Sequence, residues 1–70
     1  MIMRIFAERL KELREDKGLS KVALSKIIQI SDTAICNWEN GKHDVRGDQL
    51  FLLAQFFGVS ADYLIGLTDD

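Results

Sequence analysis

The sequence predicts an all-α fold, a compact domain of five short helices. Apolar side chains recur at the i, i+3 and i+4 spacing of amphipathic helices in several windows. Serines stand where these windows begin and glycines where they end, as expected for helix caps. Seventy residues suffice for one small domain. We therefore expect a single domain over residues 1–70, with its core in residues 5–66.

The first helix is predicted over residues 5–17 and ends at Gly18. The second, residues 21–28, follows Ser20 as its N-cap, and the third, residues 32–40, follows Ser31. The inner faces of these three helices carry apolar residues at helical spacing: Phe6, Leu10 and Leu13, then Leu24 and Ile28, then Ile35 and Trp38. Gly41 provides a left-handed residue after the third helix. Two short helices joined by a short turn, the second with a polar outer face, describe a helix-turn-helix.

The fourth helix is predicted over residues 47–57, and Gly58 ends it. Its inner face is formed by Leu50, Leu53, Ala54 and Phe57. Ser60 would cap a last helix that runs to residue 65, before Gly66.

Composition and charge exclude several classes of protein. Cys36 is the only cysteine, so no disulfide can form within the chain, and a reducing cytoplasm is the expected location. No apolar run reaches the length of about 18 residues that a membrane span requires, and no signal peptide is recognisable. The net charge is −2, yet every Lys and Arg lies before Gly47. A base-bearing part beside an acidic C-terminal third suits a docking module.

Nothing in the sequence indicates an enzyme. The single histidine, His43, has no Ser/His/Asp grouping around it, and there is no glycine-rich phosphate loop. Cys36 and His43 alone are too few to hold a metal ion. We expect neither a metal nor a cofactor.

Several stretches in the order found here resemble the Cro/CI-type (lambda-repressor-like, XRE) helix-turn-helix domains of phage and bacterial transcription regulators. These stretches are Leu10-Lys-Glu-Leu-Arg14, Leu19-Ser20, Ile30-Ser31, Ile35, Trp38-Glu-Asn-Gly41, Leu53-Ala54 and Gly58-Val-Ser60 through Leu64. The resemblance implies a five-helix bundle whose third helix enters the major groove of double-stranded DNA. It also implies a symmetric dimer on a palindromic operator.

The sequence departs from the family pattern in places. Gln29 stands where the turn usually has glycine, and a left-handed conformation there would cost roughly 1 kcal/mol. Lys21 replaces a usual glutamine, and Val45-Arg46-Gly47 replaces the usual segment before the fourth helix. Apolar residues stand at three positions that are mostly polar in the family: Val22, Ile27 and Leu52.

The resemblance implies base contacts from Asp32, Thr33 and Asn37 on the third helix. Asn can pair with adenine, the Thr methyl can meet a thymine methyl, and Asp accepts from cytosine N4. Asp32 is equally explained as a first-turn residue that favours the helix dipole, and Asn37 could be merely solvated.

Phosphate contacts are expected from residues near helix N-termini and in the loop after the third helix. The candidates are Lys21, Lys26, Asn40, Lys42, His43 and Arg46. For Lys26 and Arg46 a solvated charge is an equally good interpretation.

Two further sets of residues have interpretations that do not involve DNA. The family often pairs the first-helix arginine with the third-helix glutamate, here Arg14 and Glu39, as a structural ion pair. Leu52 and Phe56 are surplus to the inner face of the fourth helix and are candidates, with helix 5 and residues 1–3, for a homodimer surface. The alternative is that Phe56 packs on the last helix and Leu52 is an isolated surface residue. Such a dimer would be weak without DNA.

The sequence thus predicts a sequence-specific DNA-binding transcriptional regulator, a repressor of phage or bacterial type. The alternative is a protein-interaction module on the same fold, such as an antirepressor or an antitoxin. The acidic balance, Asp32 and the exposed apolar residues favour that alternative.

Overall fold

The computed structural model describes residues 2–69, and side chains from residue 4 onwards. Five α-helices follow one another: α1 (Ile2–Asp16), α2 (Lys21–Ile28), α3 (Asp32–Glu39), α4 (Gly47–Phe57) and α5 (Ala61–Leu64). No strand occurs within residues 2–69. The all-α prediction is confirmed, and α2 and α4 have the predicted bounds.

The main difference lies at the start of α1, which begins at Ile2 and not at residue 5. The first six residues contain no Ser, Thr, Asp or Asn, so no N-cap residue marks a boundary. The first core residue, Phe6, therefore lies a full turn inside the helix.

Serine side chains start three of the helices, as predicted. The Oγ atoms of Ser20, Ser31 and Ser60 accept hydrogen bonds of 3.0, 3.1 and 3.0 Å from backbone N–H groups three residues later. Each bond satisfies a backbone donor that the first turn of a helix leaves free. At the start of α4 a side chain from inside the helix reaches back to the residue before it. The Arg46 backbone N–H donates to Gln49 Oε1 at 3.3 Å.

The turn between α2 and α3 is closed by Gln29, whose φ of 59° and ψ of 40° are left-handed. It is the one non-glycine residue with positive φ in the described part of the chain. Gln29 thus adopts the left-handed conformation whose cost was considered for this position in the sequence analysis. After α3 the same closure uses Gly41, and the Lys42 backbone N–H donates to the Asn37 carbonyl at 2.9 Å.

Each helix contributes at least one fully buried side chain to a single core. These residues are Phe6, Leu10, Leu24, Ile35, Leu53 and Leu64. Trp38 meets Phe6 edge to face, with ring centroids 6.1 Å apart. Because α1 packs on α3 and α5, and α2 packs on α3 and α4, the core fixes α3 from two sides.

The outer surface of α4 differs from the prediction. Phe56 is partly buried and packs against the core, with its ring 4.9 Å from that of Phe57 and Lys17 Nζ above it at 5.3 Å. The interpretation of Phe56 as surplus to the core is therefore wrong. The exposed aromatic residue is Phe51, at 60% exposure, beside Leu52 at 37%.

The end of the chain is held to α1 by Arg9. Its guanidinium lies 4.2 Å from the centre of the Tyr63 ring and donates to the carbonyl oxygens of Tyr63 and Thr68. It also reaches Asp69 Oδ1 at 3.3 Å. Arg9 thus ties α5 and the residues after it to the first helix.

None of the helices described in residues 2–69 is both long enough and apolar enough to cross a bilayer. The candidate dimer segment, residues 1–3, lies outside the described side chains.

Candidate nucleic-acid interface

Helix α3 has one buried face and one free face. Ile35 and Trp38 are buried in the core. On the opposite side Asp32 and Thr33 are exposed and Asn37 is half-buried. An eight-residue helix is too short to be stable alone, so packing of its inner face sets its position and leaves the polar face accessible.

A bidentate ion pair between Arg14 and Glu39 holds the C-terminal end of α3. Arg14 Nε donates to Glu39 Oε2 at 2.6 Å and Nη2 donates to Oε1 at 2.9 Å. Arg14 Nη1 donates to the Leu19 carbonyl at 2.7 Å. The two side chains are 9% and 2% exposed. One guanidinium therefore connects α1, the loop before α2, and α3.

The hydrogen bonds that Arg14 donates to the Glu39 carboxylate raise the pKa of Arg14 above its ordinary value, and burial opposes this only in part. The guanidinium therefore stays charged at neutral pH, where its bidentate pair with the Glu39 carboxylate stabilises the fold. Since the Glu39 charge is neutralised inside the fold, it adds little negative potential to the exposed face of α3.

Four of the predicted contact residues line one open cleft between the first turn of α2 and α3, with a volume of about 350 Å³. They are Lys21, Asp32, Thr33 and Asn37, and the lining is completed by Val22 and Cys36. The candidate phosphate donor on α2 and the candidate base readers on α3 therefore share one surface.

Cys36, which lines this cleft, contacts two of the candidate phosphate-binding side chains. Lys21 Nζ is 4.0 Å from its Sγ, and Asn40 Nδ2 is 3.4 Å from the same atom. These contacts draw the ends of Lys21 and Asn40 towards the middle of α3.

A second cleft, of about 260 Å³, lies on the other side of α3, against the loop before α4. Asn37 lines both clefts. His43 and Arg46 border the second one together with Asp44. Asn37 therefore lies at the centre of the free surface, with candidate phosphate donors on either side.

Of the other predicted phosphate contacts, two lie outside both clefts, and Arg46 at the second cleft has an exposed acidic partner. Lys26 and Lys42 are exposed and line neither cleft. Arg46 Nη2 lies 3.3 Å from Asp48 Oδ2, and both side chains are 72% exposed. Such an exposed pair is weak, so Arg46 can exchange Asp48 for another anion at little cost.

Residues that sequence reasoning did not assign to the site are Val22 and Cys36 in the first cleft. The signal for Val22 was present, since it is an apolar residue where similar sequences are mostly polar. Cys36 could have been found from its helical spacing to Thr33 and Asn40 on α3.

Among the described residues no group of three or more His, Cys, Asp or Glu side chains is placed to hold a metal ion. The surface around α3 carries amides, a hydroxyl and flexible cations, which suit binding of a polyanion, together with the carboxylates of Asp32 and Asp44.

Comparison with known proteins agrees with this geometry. Residues 10–64 match a family described as helix-turn-helix. The HTH-type transcriptional activator BcrR of Enterococcus faecalis is 37% identical over 60 residues, which are 86% of this chain and 29% of BcrR. An uncharacterized HTH-type transcriptional regulator of Bacillus subtilis (strain 168), YobD, is 33% identical over 94% of this chain and 59% of its own. Repressor protein C2 of Salmonella phage P22 is 29% identical over 93% of this chain and 30% of its own.

A solved structure, the crystal structure of apo-HppE, superposes with a TM-score of 0.82 at 29% identity. The match covers 93% of this chain and 36% of that one. The chain thus spans less than two thirds of the length of each of these relatives. Because the family match extends from α1 into α5 and includes both helices of the turn, the chain belongs to the helix-turn-helix family.

Proposed function

We propose that this chain is a sequence-specific DNA-binding transcriptional regulator that inserts α3 into the major groove. The observation that carries the proposal is the division of α3 into a face locked in the core and a free polar face. The major groove admits a helix, and its base edges present the donors and acceptors that amide and hydroxyl groups can read.

Base reading falls to the free face of α3. Asn37, at the centre of this surface, would pair with an adenine, and the Thr33 methyl would meet a thymine. Asp32 stands in the first turn of α3, where the helix dipole offsets part of its repulsion from phosphates. We propose that Asp32 accepts from a cytosine N4 group.

Phosphate binding falls to the cations and amides on either side. Lys21 flanks the first cleft, and His43 and Arg46 flank the second. Asn40 and Lys42 follow α3 and would extend the same row, and Lys26 would reach the backbone only at the edge of the site. These contacts would fix the register of α3 in the groove without reading the sequence.

The sign of regulation is proposed as repression. The relatives include a protein named as an activator and one named as a repressor. A domain that occupies the major groove over a promoter blocks competing proteins by exclusion alone, whereas activation needs an additional contact. We expect no catalytic activity and a location in the bacterial cytoplasm, where the DNA is.

A second copy of the chain is the proposed partner on DNA, because one recognition helix reads few base pairs. The outer stripe of α4 supports this. Its exposed residues, at i, i+3, i+4 and i+7, are Asp48, Phe51, Leu52 and Gln55. In an antiparallel pair of α4 helices the two-fold axis would pair Phe51 with Leu52 of the other copy, and Asp48 with Gln55. Two apolar residues per copy bury far less area than a stable dimer needs, so the dimer would be weak without a palindromic operator.

The test is selection from a duplex library randomised over two helical turns, followed by mobility-shift titration of the selected and the random duplexes at two salt concentrations. Enrichment of a two-fold symmetric motif, bound far more tightly than random DNA, is the expected result. Equal binding to both would contradict sequence-specific regulation. Absence of binding to any duplex would favour the alternative, a protein-interaction module on the same fold.

A further inference from the structure

The first cleft contains apolar surface that the proposed polar contacts do not use. Lys21, Asp32 and Asn37 have phosphate or base partners in the proposal above. Val22 and Cys36 line the same cleft. Apolar surface at the centre of a polar interface contributes to binding only where an apolar group of the partner covers it.

The fold does not need Val22. Its side chain is 49% exposed, and the buried residues of α2 are Leu24 and Ile28. A β-branched residue also forms helix less readily than Lys or Glu would at an exposed position. Its one strongly preferred rotamer in a helix gives the cleft a fixed apolar wall. Binding against this wall costs little side-chain entropy.

We propose that this cleft binds the 5-methyl group of a pyrimidine in the major groove, with Val22 as a specificity-determining residue. The proposal rests on the proposed function, since it requires α3 in that groove. The C5-methyl group of thymine is the apolar group that base pairs present there. A pyrimidine methyl between a phosphate held by Lys21 and a base edge read by Asn37 would lie over Val22. The Thr33 methyl and the polarizable Cys36 sulfur would form the rest of the contact.

The same cleft also contains a hydrogen-bond acceptor, Asp32, that suits 5-methylcytosine, the other natural pyrimidine with a 5-methyl group. A carboxylate accepts from the N4 amino group of cytosine. A 5-methylcytosine would therefore satisfy Val22 and Asp32 together, whereas thymine satisfies Val22 alone. The shared ligand is the 5-methyl group, and the two bases are distinguished by experiment.

The experiment uses the duplex selected by the wild-type chain. Each thymine is replaced in turn by deoxyuridine, and each cytosine by 5-methyldeoxycytidine. Affinities are measured for the wild type, for Val22→Ala, and for Ile27→Ala as the matched control. Ile27 is an equally exposed apolar residue of α2, at 52%, that does not line the cleft.

At one position in each half-site, removal of the thymine methyl should weaken wild-type binding about fourfold, the value of one buried methyl group. If the position holds cytosine, adding the methyl should strengthen binding by a similar factor. In Val22→Ala the difference between the two duplexes of such a pair should shrink to less than about twofold, since Thr33 and Cys36 still line the cleft. Ile27→Ala should keep the full difference. A response to deoxyuridine identifies a thymine reader, and a response to 5-methyldeoxycytidine identifies a methylcytosine reader.

If every methyl effect kept its full size in Val22→Ala, or if no position were methyl-sensitive, the proposal would be overturned. Val22→Thr keeps the β-branched shape of the side chain and exchanges one methyl for a hydroxyl. It should also reduce the methyl effect. It therefore controls for the possibility that Val22→Ala acts by changing the shape of α2. If the wild type enriches no motif at all, the proposed function fails. If a motif is enriched but shows no methyl effect that depends on Val22, the proposed methyl-binding role of the cleft fails and the proposed function stands.

Discussion

Helices α3 and α4 are both short and both bury one face in the same core, yet their free faces are opposite in character. The free face of α3 carries Asp32, Thr33 and Asn37. That of α4 carries Phe51 and Leu52 between two polar residues. Because packing in the core determines the inner faces, the residues on the outer faces indicate what kind of partner each helix contacts. A polar face with flanking cations suits nucleic acid, and an apolar stripe suits a protein surface.

The two helices also differ in how they are fixed. A buried ion pair reaches α3 from α1, whereas the ion pair at the start of α4 is exposed. A helix that must hold base-reading side chains in register needs directional contacts. A helix that presents an apolar stripe tolerates small shifts.

The largest expected effect is the loss of stability when the buried Arg14–Glu39 ion pair is broken. Arg14→Ala or Glu39→Ala should each lower the free energy of unfolding by about 3–5 kcal/mol, because each strands a buried charge. The measurement is urea unfolding of the single and double variants. A double-mutant cycle with no interaction energy would show that the two side chains are not coupled. Removal of the exposed partner Asp48 by Asp48→Ala is the control and should change stability by less than about 0.5 kcal/mol.

The next effect concerns the free face of α3. Asn37→Ala should lose about 1–3 kcal/mol of binding free energy on the selected site and little on random DNA, because a bidentate base contact is lost. Mobility-shift titration on both duplexes measures this. Equal losses on the two would show that Asn37 does not read bases.

If the exposed apolar residues of α4 form the dimer surface, a charge placed there should weaken self-association. Phe51→Glu should weaken the dimer about tenfold or more, since it removes an aromatic contact and places two like charges near the axis. Sedimentation from micromolar to millimolar concentration measures this, with Ile27→Glu as the control for an added charge. Gln55→Glu should also weaken the dimer by facing Asp48 of the other copy, and adding Asp48→Lys should restore it. If the wild-type chain stayed a monomer at all concentrations, with and without operator, the outer stripe of α4 would not be a dimer interface.

A smaller effect is expected for the cations beside α3. Lys42→Ala, or Lys21→Ala, should weaken binding to all duplexes alike and reduce the slope of log affinity against log salt by about one unit. Lys11→Ala is the matched control, since Lys11 is exposed on α1 away from both clefts. An unchanged slope would exclude the mutated lysine from the interface.

The smallest effect tests the turn that sets α3 against α2. Gln29→Gly should raise the free energy of unfolding by about 1 kcal/mol, because glycine adopts the left-handed conformation without strain. Gly41→Ala should lower it by a similar amount, since a Cβ there meets nothing within 4 Å and only the positive φ opposes it. Thermal or urea unfolding measures both. Changes of the same sign would contradict this account of the two closures.

The sequence was sufficient for the parts of the fold that local chemistry controls. The serine caps, the left-handed closure at Gly41, and the burial of Ile35 and Trp38 all follow from residue type and helical spacing. The closure at Gln29 was suggested only by the family resemblance, since glutamine does not favour it. The start of α1 was missed because no capping residue marks it.

The surface of α4 could not be predicted in the same way. On an ideal helix Phe51 and Phe56 each lie about 110° from the centre of the inner face, on opposite sides. Helical spacing alone therefore does not say which one is covered. Packing against the core and the position of Lys17 above Phe56 decide it, and both depend on tertiary structure. The cleft that joins Val22 to Asn37 likewise depends on how α2 packs against α3, although the unusual apolar residue at position 22 was visible in the sequence.

The contacts of Arg9 have a consequence for how the domain opens. Helix α5 has four residues and has no stability of its own at that length. It is attached through the buried Leu64, through packing on α4 and α1, through Arg9, and at Gly66, where an added Cβ would lie 2.9 Å from Ile5. Residues 61–69 should therefore detach together as one cooperative unit before the remaining helices unfold. In native-state hydrogen exchange the amides of this segment should share one low opening free energy, while those of α3 exchange only with global unfolding.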